Sequence, residues 1–135
     1  MRAVVDPNVH ISALLAPRGA PAGVLRAWID GAFDLIVSPL LLAELERALA
    51  YPKLRRRIPA EEAARVVGWL RRAATIVEDP AVAPPIRSLD PGDDYLLALA
   101  VTARAALATG DGHLLTLDTE LPIYPPAAFL ATITA

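Results

Sequence analysis

Six acids stand where short apolar runs end or where a helix begins, and oxygen ligands in such places are the raw material of metal-assisted phosphate chemistry. Asp6 follows the run Ala3 to Val5, and Asp111 follows "ALATG", separated from it by Gly110. In open parallel sheets, ligands bind beyond the carboxyl ends of strands, so these two positions come first. Either acid alone is as readily a turn residue as a site residue. Glu44 lies on the edge of a helical stripe formed by Leu41, Leu42, Leu45, Ala48 and Leu49. The segment "DPGDDYLLALA" carries Asp90, Asp93 and Asp94 just ahead of a strongly apolar helix. On a helical wheel Asp93 aligns with Leu97, Ala100 and Arg104, whereas Asp94 falls with Ala98 and Thr102 on the expected outer side. Asp93 is therefore chosen as the inward acid, Asp94 is kept as its alternative, and Asp90, ahead of Pro91, reads as a turn residue.

Gathering Asp6, Glu44, Asp93 and Asp111 at one rim would raise their pKa values through mutual repulsion unless a cation sat among them. An all-oxygen donor set suits Mg²⁺ or Mn²⁺, hard ions that retain waters for phosphate chemistry. Such a site hydrolyses a phosphodiester by activating and aligning water, with no nucleophilic side chain.

The elements that must position these acids are legible from the pattern. Strand-like runs recur at Ala3 to Val5, Leu35 to Val37, Thr75 to Val77, Ala106 to Ala108 and Ile123 to Tyr124, with helical stretches between them. Helices are expected over Ile11 to Leu15 and, past the Pro17 to Pro21 break, over Gly23 to Ile29. Ser38-Pro39 is a capped helix entry leading to about Ala50, and Pro59 opens a helix through about Ala73 with Glu61 and Glu62 at its positive end. Alternation of this kind predicts an α/β fold, a three-layer α/β/α sandwich around a central parallel sheet of four to five strands. Residues 1–135 read as one domain, with Pro80 to Pro91 as its longest loop.

Composition narrows the class further. There is no cysteine, which excludes a disulfide framework and thiolate chemistry and fits a cytoplasmic location. No apolar run reaches the roughly 20 residues of a membrane span, and no secretory signal is recognisable. The formal net charge of −2 argues against binding nucleic acid through bulk electrostatics. With four carboxylates neutralised by a cation, however, the remainder is net positive, and the cluster Lys53, Arg55, Arg56 and Arg57 becomes a candidate phosphate contact as readily as a solvated loop. His10 and His113 lie far apart without ligand spacing, which argues against a transition-metal site; His113 is read instead as a substrate contact at the pocket rim.

The pieces "VVDPNVHISALL", "SPLLLAELERAL", "DPGDDYLLALA", "ATGDGHLL" and "IYPPAAFL", in this order and spacing, resemble PIN-domain ribonucleases of the VapC-like toxin kind. The resemblance implies metal binding by Asp6, Glu44, Asp93 and Asp111, with Asn8, Ser38 and Thr109 as supporting polar groups. It implies Mg²⁺- or Mn²⁺-dependent cleavage of RNA that leaves a 5′-phosphate, a small antitoxin protein as partner, and a homodimer. Three positions depart from the pattern: Pro7 stands where Thr is frequent, His10 replaces an aliphatic residue, and His113 stands where a further acid is frequent.

Three rivals follow from the same residues. A phosphatase of the haloacid-dehalogenase type needs a second acid two residues after Asp6, where Asn8 stands. A dinucleotide-binding domain needs a glycine-rich turn after the first strand, which is absent. A PIN-like module that binds RNA or protein without cutting is the non-enzymatic alternative.

Overall fold

The computed structural model describes residues 1–134. Five parallel strands, β1 (Arg2–Val5), β2 (Asp34–Val37), β3 (Thr75–Ile76), β4 (Ala106–Ala108) and β5 (Ile123–Tyr124), form a sheet of order β3-β2-β1-β4-β5. The chain leaves β1 in one direction for β2 and later returns to its other side as β4. That reversal opens a crevice at the carboxyl ends of β1 and β4, the place where α/β sheets accept ligands.

The connections are helical: α1 (Pro7–Leu15), α2 (Ala20–Ile29), α3 (Pro39–Leu49), α4 (Pro52–Arg55), α5 (Ala60–Ala73), α6 (Asp94–Ala103), α7 (Gly112–Leu115) and α8 (Pro126–Ile133). Right-handed crossovers require α1, α2, α3 and α5 on one face and α6 on the other. The packing agrees: α1 lies on α2 and α3, α3 on α5, and α6 against β1 and β4. The central strands are buried on both faces, which is why they read as unbroken apolar runs instead of alternating. The α6 sequence is apolar nearly all round, and Leu96, Leu97, Ala98, Leu99, Ala100 and Ala103 are all buried. Phe129 of α8 closes the core edge-on to Phe33, with ring centroids 5.1 Å apart.

The first helix starts four residues earlier than the apolar pattern predicts. Asp6 leaves β1 and immediately caps α1, its Oδ1 accepting the Asn8 backbone N–H at 2.9 Å, with Pro7 in the first turn. A proline there forfeits a donor that a helix start leaves unpaired anyway. The departure at Pro7 thus costs the helix nothing. The basic cluster is split: Lys53 and Arg55 lie in the short helix α4, and Arg56 and Arg57 lie in the turn that follows it. The long connection between β3 and α6 is confirmed as the main irregular stretch, closed by a 3₁₀ turn over Pro91–Asp93.

Candidate metal centre

Asp6 is the fixed point of the site. It is only 4% exposed, and both of its carboxylate oxygens are engaged. Oδ1 takes the α1 cap bond, and Oδ2 accepts the Thr109 hydroxyl at 2.8 Å. The Asp6 backbone N–H donates to the Ala108 carbonyl at 3.0 Å, so pairing of β1 with β4 continues up to the site. Burial pushes the Asp6 carboxyl above its ordinary value, against the lowering effect of the Asn8 and Thr109 hydrogen bonds; the charge of Asp111 raises it further.

Asp111 is placed by the same hydroxyl. Its backbone N–H donates to Thr109 Oγ1 at 3.0 Å, and its Oδ1 caps α7 by accepting the His113 N–H at 2.8 Å. The His113 ring is exposed, with Nδ1 3.8 Å from that oxygen.

Asp93 ends the 3₁₀ turn and lines a narrow cleft of about 110 Å³ together with Asp6, Asn8, Glu44, Gly92 and Tyr95. Its Oδ2 is buried and has no hydrogen-bond partner among the described residues. The carboxyl is pushed up to about 7, first by burial, then by the proximity and charge of Asp111, then by the charges of Asp90 and Asp6. Asp90 itself caps the turn by accepting the Gly92 N–H. Glu44 reaches the cleft from the second turn of α3 and is paired with Arg47 at 2.8 Å on its solvent side.

Asp94 is not on an outer, solvated side. It is 9% exposed, with Oδ1 accepting the Ser88 N–H at 2.8 Å and Oδ2 accepting Arg87 Nε at 2.7 Å. Those bonds hold its carboxyl below the usual range. The helical wheel missed this because a loop, not solvent, covers that face of α6. Ser38 is likewise spent elsewhere: its hydroxyl caps α3 by accepting the Leu41 N–H, and it does not line the cleft. Lys53, Arg55, Arg56 and Arg57 follow the far end of α3, where Arg55 Nε donates to the Leu49 carbonyl; none of them lines the cleft.

One residue of the site, Tyr95, and one acid whose charge acts on it, Asp79, escaped the sequence reading. Tyr95 lines the cleft, and burial together with the charges of Asp6, Glu44, Asp93 and Asp79 holds its phenol protonated far above neutrality. Asp79 stands three residues past the end of β3, as Asp111 stands three past β4, and it does not line the cleft. Its Oδ2 accepts the Leu40 N–H at the start of α3, and its Oδ1 is buried without a partner among the described residues. The strand-end rule applied to Asp6 and Asp111 would have found it.

His10 belongs to the core. It is 1% exposed, and its ring nitrogens have no hydrogen-bond partner among the described residues.

Among the described residues, no three acidic or histidine side chains are drawn close enough to enclose a cation as they stand. The donor set nonetheless fits one. An orphaned buried oxygen on Asp93 and two carboxyls pushed up by burial and mutual charge are relieved by a hard divalent ion.

Comparison with known proteins matches the same stretch. A family model described as PIN domain matches residues 2–113. The uncharacterized protein MJ1680 of Methanocaldococcus jannaschii is 27% identical over 120 residues, covering 89% of this chain and 77% of that protein. Among solved structures, PAE2754 from Pyrobaculum aerophilum superposes with a TM-score of 0.69 at 18% identity, covering 99% of this chain and 90% of that one. VapBC2 from Rickettsia felis, bound to a fragment of promoter DNA, gives 0.65 at 13% identity, covering 93% and 98%. VapBC-1 from nontypeable Haemophilus influenzae gives 0.63 at 17% identity, covering 94% and 99%. These structural likenesses establish the shared fold, and the family match, spanning most of the sequence, establishes descent: the chain belongs to the PIN-domain family.

Proposed function

We propose that this protein is a Mg²⁺- or Mn²⁺-dependent endoribonuclease that hydrolyses RNA phosphodiester bonds, acting as the toxin of a toxin–antitoxin pair. One observation carries the reading: Asp6, Glu44 and Asp93, from three separate parts of the chain, line one cleft at the sheet's topological switch, with Asp111 acting electrostatically on Asp6 and Asp93. Membership of the PIN family and likeness in fold to two VapBC structures support it.

Asp6, Asp93 and Asp111 would hold the ion, with Glu44 completing the set from α3. When bound, the ion neutralises charge on the phosphate and lowers the pKa of an attacking water. Asp6 is immobilised by two hydrogen bonds and gives the centre a fixed origin. Asp93 keeps Oδ2 uncommitted and within the cleft, where it could reach the ion or a water held beside it. The phenol of Tyr95 stays a donor at any working pH and faces the same cleft.

The toxin reading brings a small antitoxin protein as partner and a homodimer as assembly. No helix among the described residues is long and apolar enough to cross a membrane. The experiment is cleavage of single-stranded RNA by purified protein with Mg²⁺ or Mn²⁺. Asp6→Asn and Asp93→Asn are each expected to lower the rate at least about a hundredfold, the upper range for outer-shell partners of metal ligands. Undiminished cleavage by both variants overturns the assignment. Absence of Mn²⁺ binding near neutral pH in calorimetric titration would favour a non-cutting module.

A further inference from the structure

Beside the acidic cleft lies a second and wider groove of about 580 Å³, bounded by the starts of α1, α2 and α8 and by the turn after β4. The two depressions share Asn8, and Asp111 stands on the wall of the wider one. A phosphate held at the carboxylates would therefore have this groove as a direct neighbour. The volume falls within the roughly 300–1,000 Å³ of small-molecule sites.

The lining decides which moiety. Pro21, Pro125 and Pro126 each mark a helix entry, and together they place rigid apolar ring surfaces around one hollow. Asn8 and Ser12, both exposed on α1, contribute an amide and a hydroxyl. The lining includes no lysine or arginine and does include Asp111, so a phosphate would meet repulsion there. A neutral, flat body with hydrogen-bonding edges meets the complementary surface: the base and ribose of a nucleotide.

Gly110 keeps the groove open. A β-carbon built on it meets no heavy atom within 4 Å, and its backbone is not in the positive-φ region, which among the described glycines only Gly31 adopts. Gly110 is itself part of the groove's lining, and a side chain there would add bulk at the groove without meeting the protein's own packing.

We propose that this groove seats the nucleoside adjoining the scissile phosphate, the base lying against the proline rings with Asn8 and Ser12 facing its polar edge. The proposal rests on the nuclease reading for the position of the phosphate, and its test separates the two. In ¹H–¹⁵N NMR of the full chain with Mg²⁺, uridine and adenosine 5′-monophosphates are expected to shift the backbone amides of Asn8, Ser12, Gly110 and Ala127, whereas inorganic phosphate leaves Ser12 and Ala127 unmoved. Gly110→Val is expected to abolish those shifts and to raise KM for single-stranded RNA about tenfold with a smaller change in kcat. Nucleotides that leave these amides unmoved in the unaltered protein overturn the proposal, as does Gly110→Val cleaving RNA with unchanged KM. Asp93→Asn separates the readings: it is expected to lose cleavage and keep the nucleotide shifts. If the unaltered protein binds nucleotides in this groove and cuts no RNA, the nucleoside site stands and the nuclease reading falls.

Discussion

The Thr109 hydroxyl lies 2.8 Å from Asp6 Oδ2 while accepting the Asp111 backbone N–H at 3.0 Å, so one side chain ties together the acids that end β1 and β4. Its donated bond opposes the burial that raises the Asp6 carboxyl. Thr109→Val keeps the shape and deletes the bond, leaving a buried carboxylate short of a donor. The expected cost is about 1–3 kcal/mol of stability, measured by urea unfolding at pH 7. The Asp6 carboxyl should rise further, moving the acid limb of the RNA cleavage profile to higher pH. Thr109→Ser, which retains the hydroxyl, should restore both; a Thr109→Val profile that overlays the unaltered one would show that the bond does not tune the site.

Neighbouring acids at the start of α6 do different work, and substitution should split them. Asp93→Asn is expected to remove RNA cleavage without loosening the chain, because its carboxylate has its free oxygen in the cleft. Asp94→Asn breaks the bonds to Ser88 and Arg87, which anchor the loop before α6. Arg87 is 61% exposed, so its share of the energy is small, and the buried bond to the Ser88 N–H carries most of a loss of about 1–2 kcal/mol. Hydrogen exchange across residues 78–90 should accelerate in Asp94→Asn and stay unchanged in Asp93→Asn. Cleavage lost only in Asp94→Asn would reverse these roles.

How far the sequence discloses this molecule depends on whether the signal is local. Strands, helix entries at Ser38-Pro39 and Pro59, and the acids at strand ends are local patterns, and the sheet follows from their alternation. Strand ends and helix faces pointed to the four acids before any resemblance, and three of them, Asp6, Glu44 and Asp93, line one cleft. What failed to show was long-range. Asp94 looked solvent-facing because its cover, the Ser88 backbone and Arg87, folds back from a loop whose path no periodicity describes. Tyr95 went unremarked because an aromatic one residue from Asp94 and next to Leu96 carries no local mark of facing a cleft. The basic cluster read equally as a phosphate contact or a solvated loop, and its place beyond the far end of α3, away from the cleft lining, is a long-range fact that the local sequence does not carry.

His10 is a polar residue in an aliphatic place, and acidity should expose it. Burial drives its pKa from 6.5 to about 4. The unfolded chain therefore binds a proton that the folded chain refuses. This contribution is intact above pH 6.5 and drains away as pH falls toward 4, by on the order of 3 kcal/mol in total. His10→Leu should remove that loss and, by deleting two unpartnered ring nitrogens, add about 1–2 kcal/mol at pH 7. Calorimetric melting at pH 7 and pH 5 measures both; a variant less stable at both values would mean that the ring finds a partner.

Asp93 imposes the opposite slope, and a divalent ion should cancel it. Its folded value of about 7 lies above the ordinary 3.8, so the folded chain holds the proton more tightly than the unfolded one. The resulting stability is complete below about pH 4 and is lost as pH rises through 7, leaving the metal-free protein strained at neutrality by unshared negative charge. In the unaltered chain the His10 loss on acidification masks this gain, so the clean measurement is made in the His10→Leu background. There, melting temperature in EDTA should fall between pH 5 and pH 8. Addition of Mn²⁺ should raise it most at pH 8, where the carboxylates are ionised and the ion has no proton to displace. Adding Asp93→Asn should flatten the EDTA slope, raise metal-free stability at pH 8, and weaken the Mn²⁺ response. An EDTA slope that survives Asp93→Asn would place the strain on Asp6 and Asp111 instead, because theirs are the remaining charges that act on one another across the ends of β1 and β4.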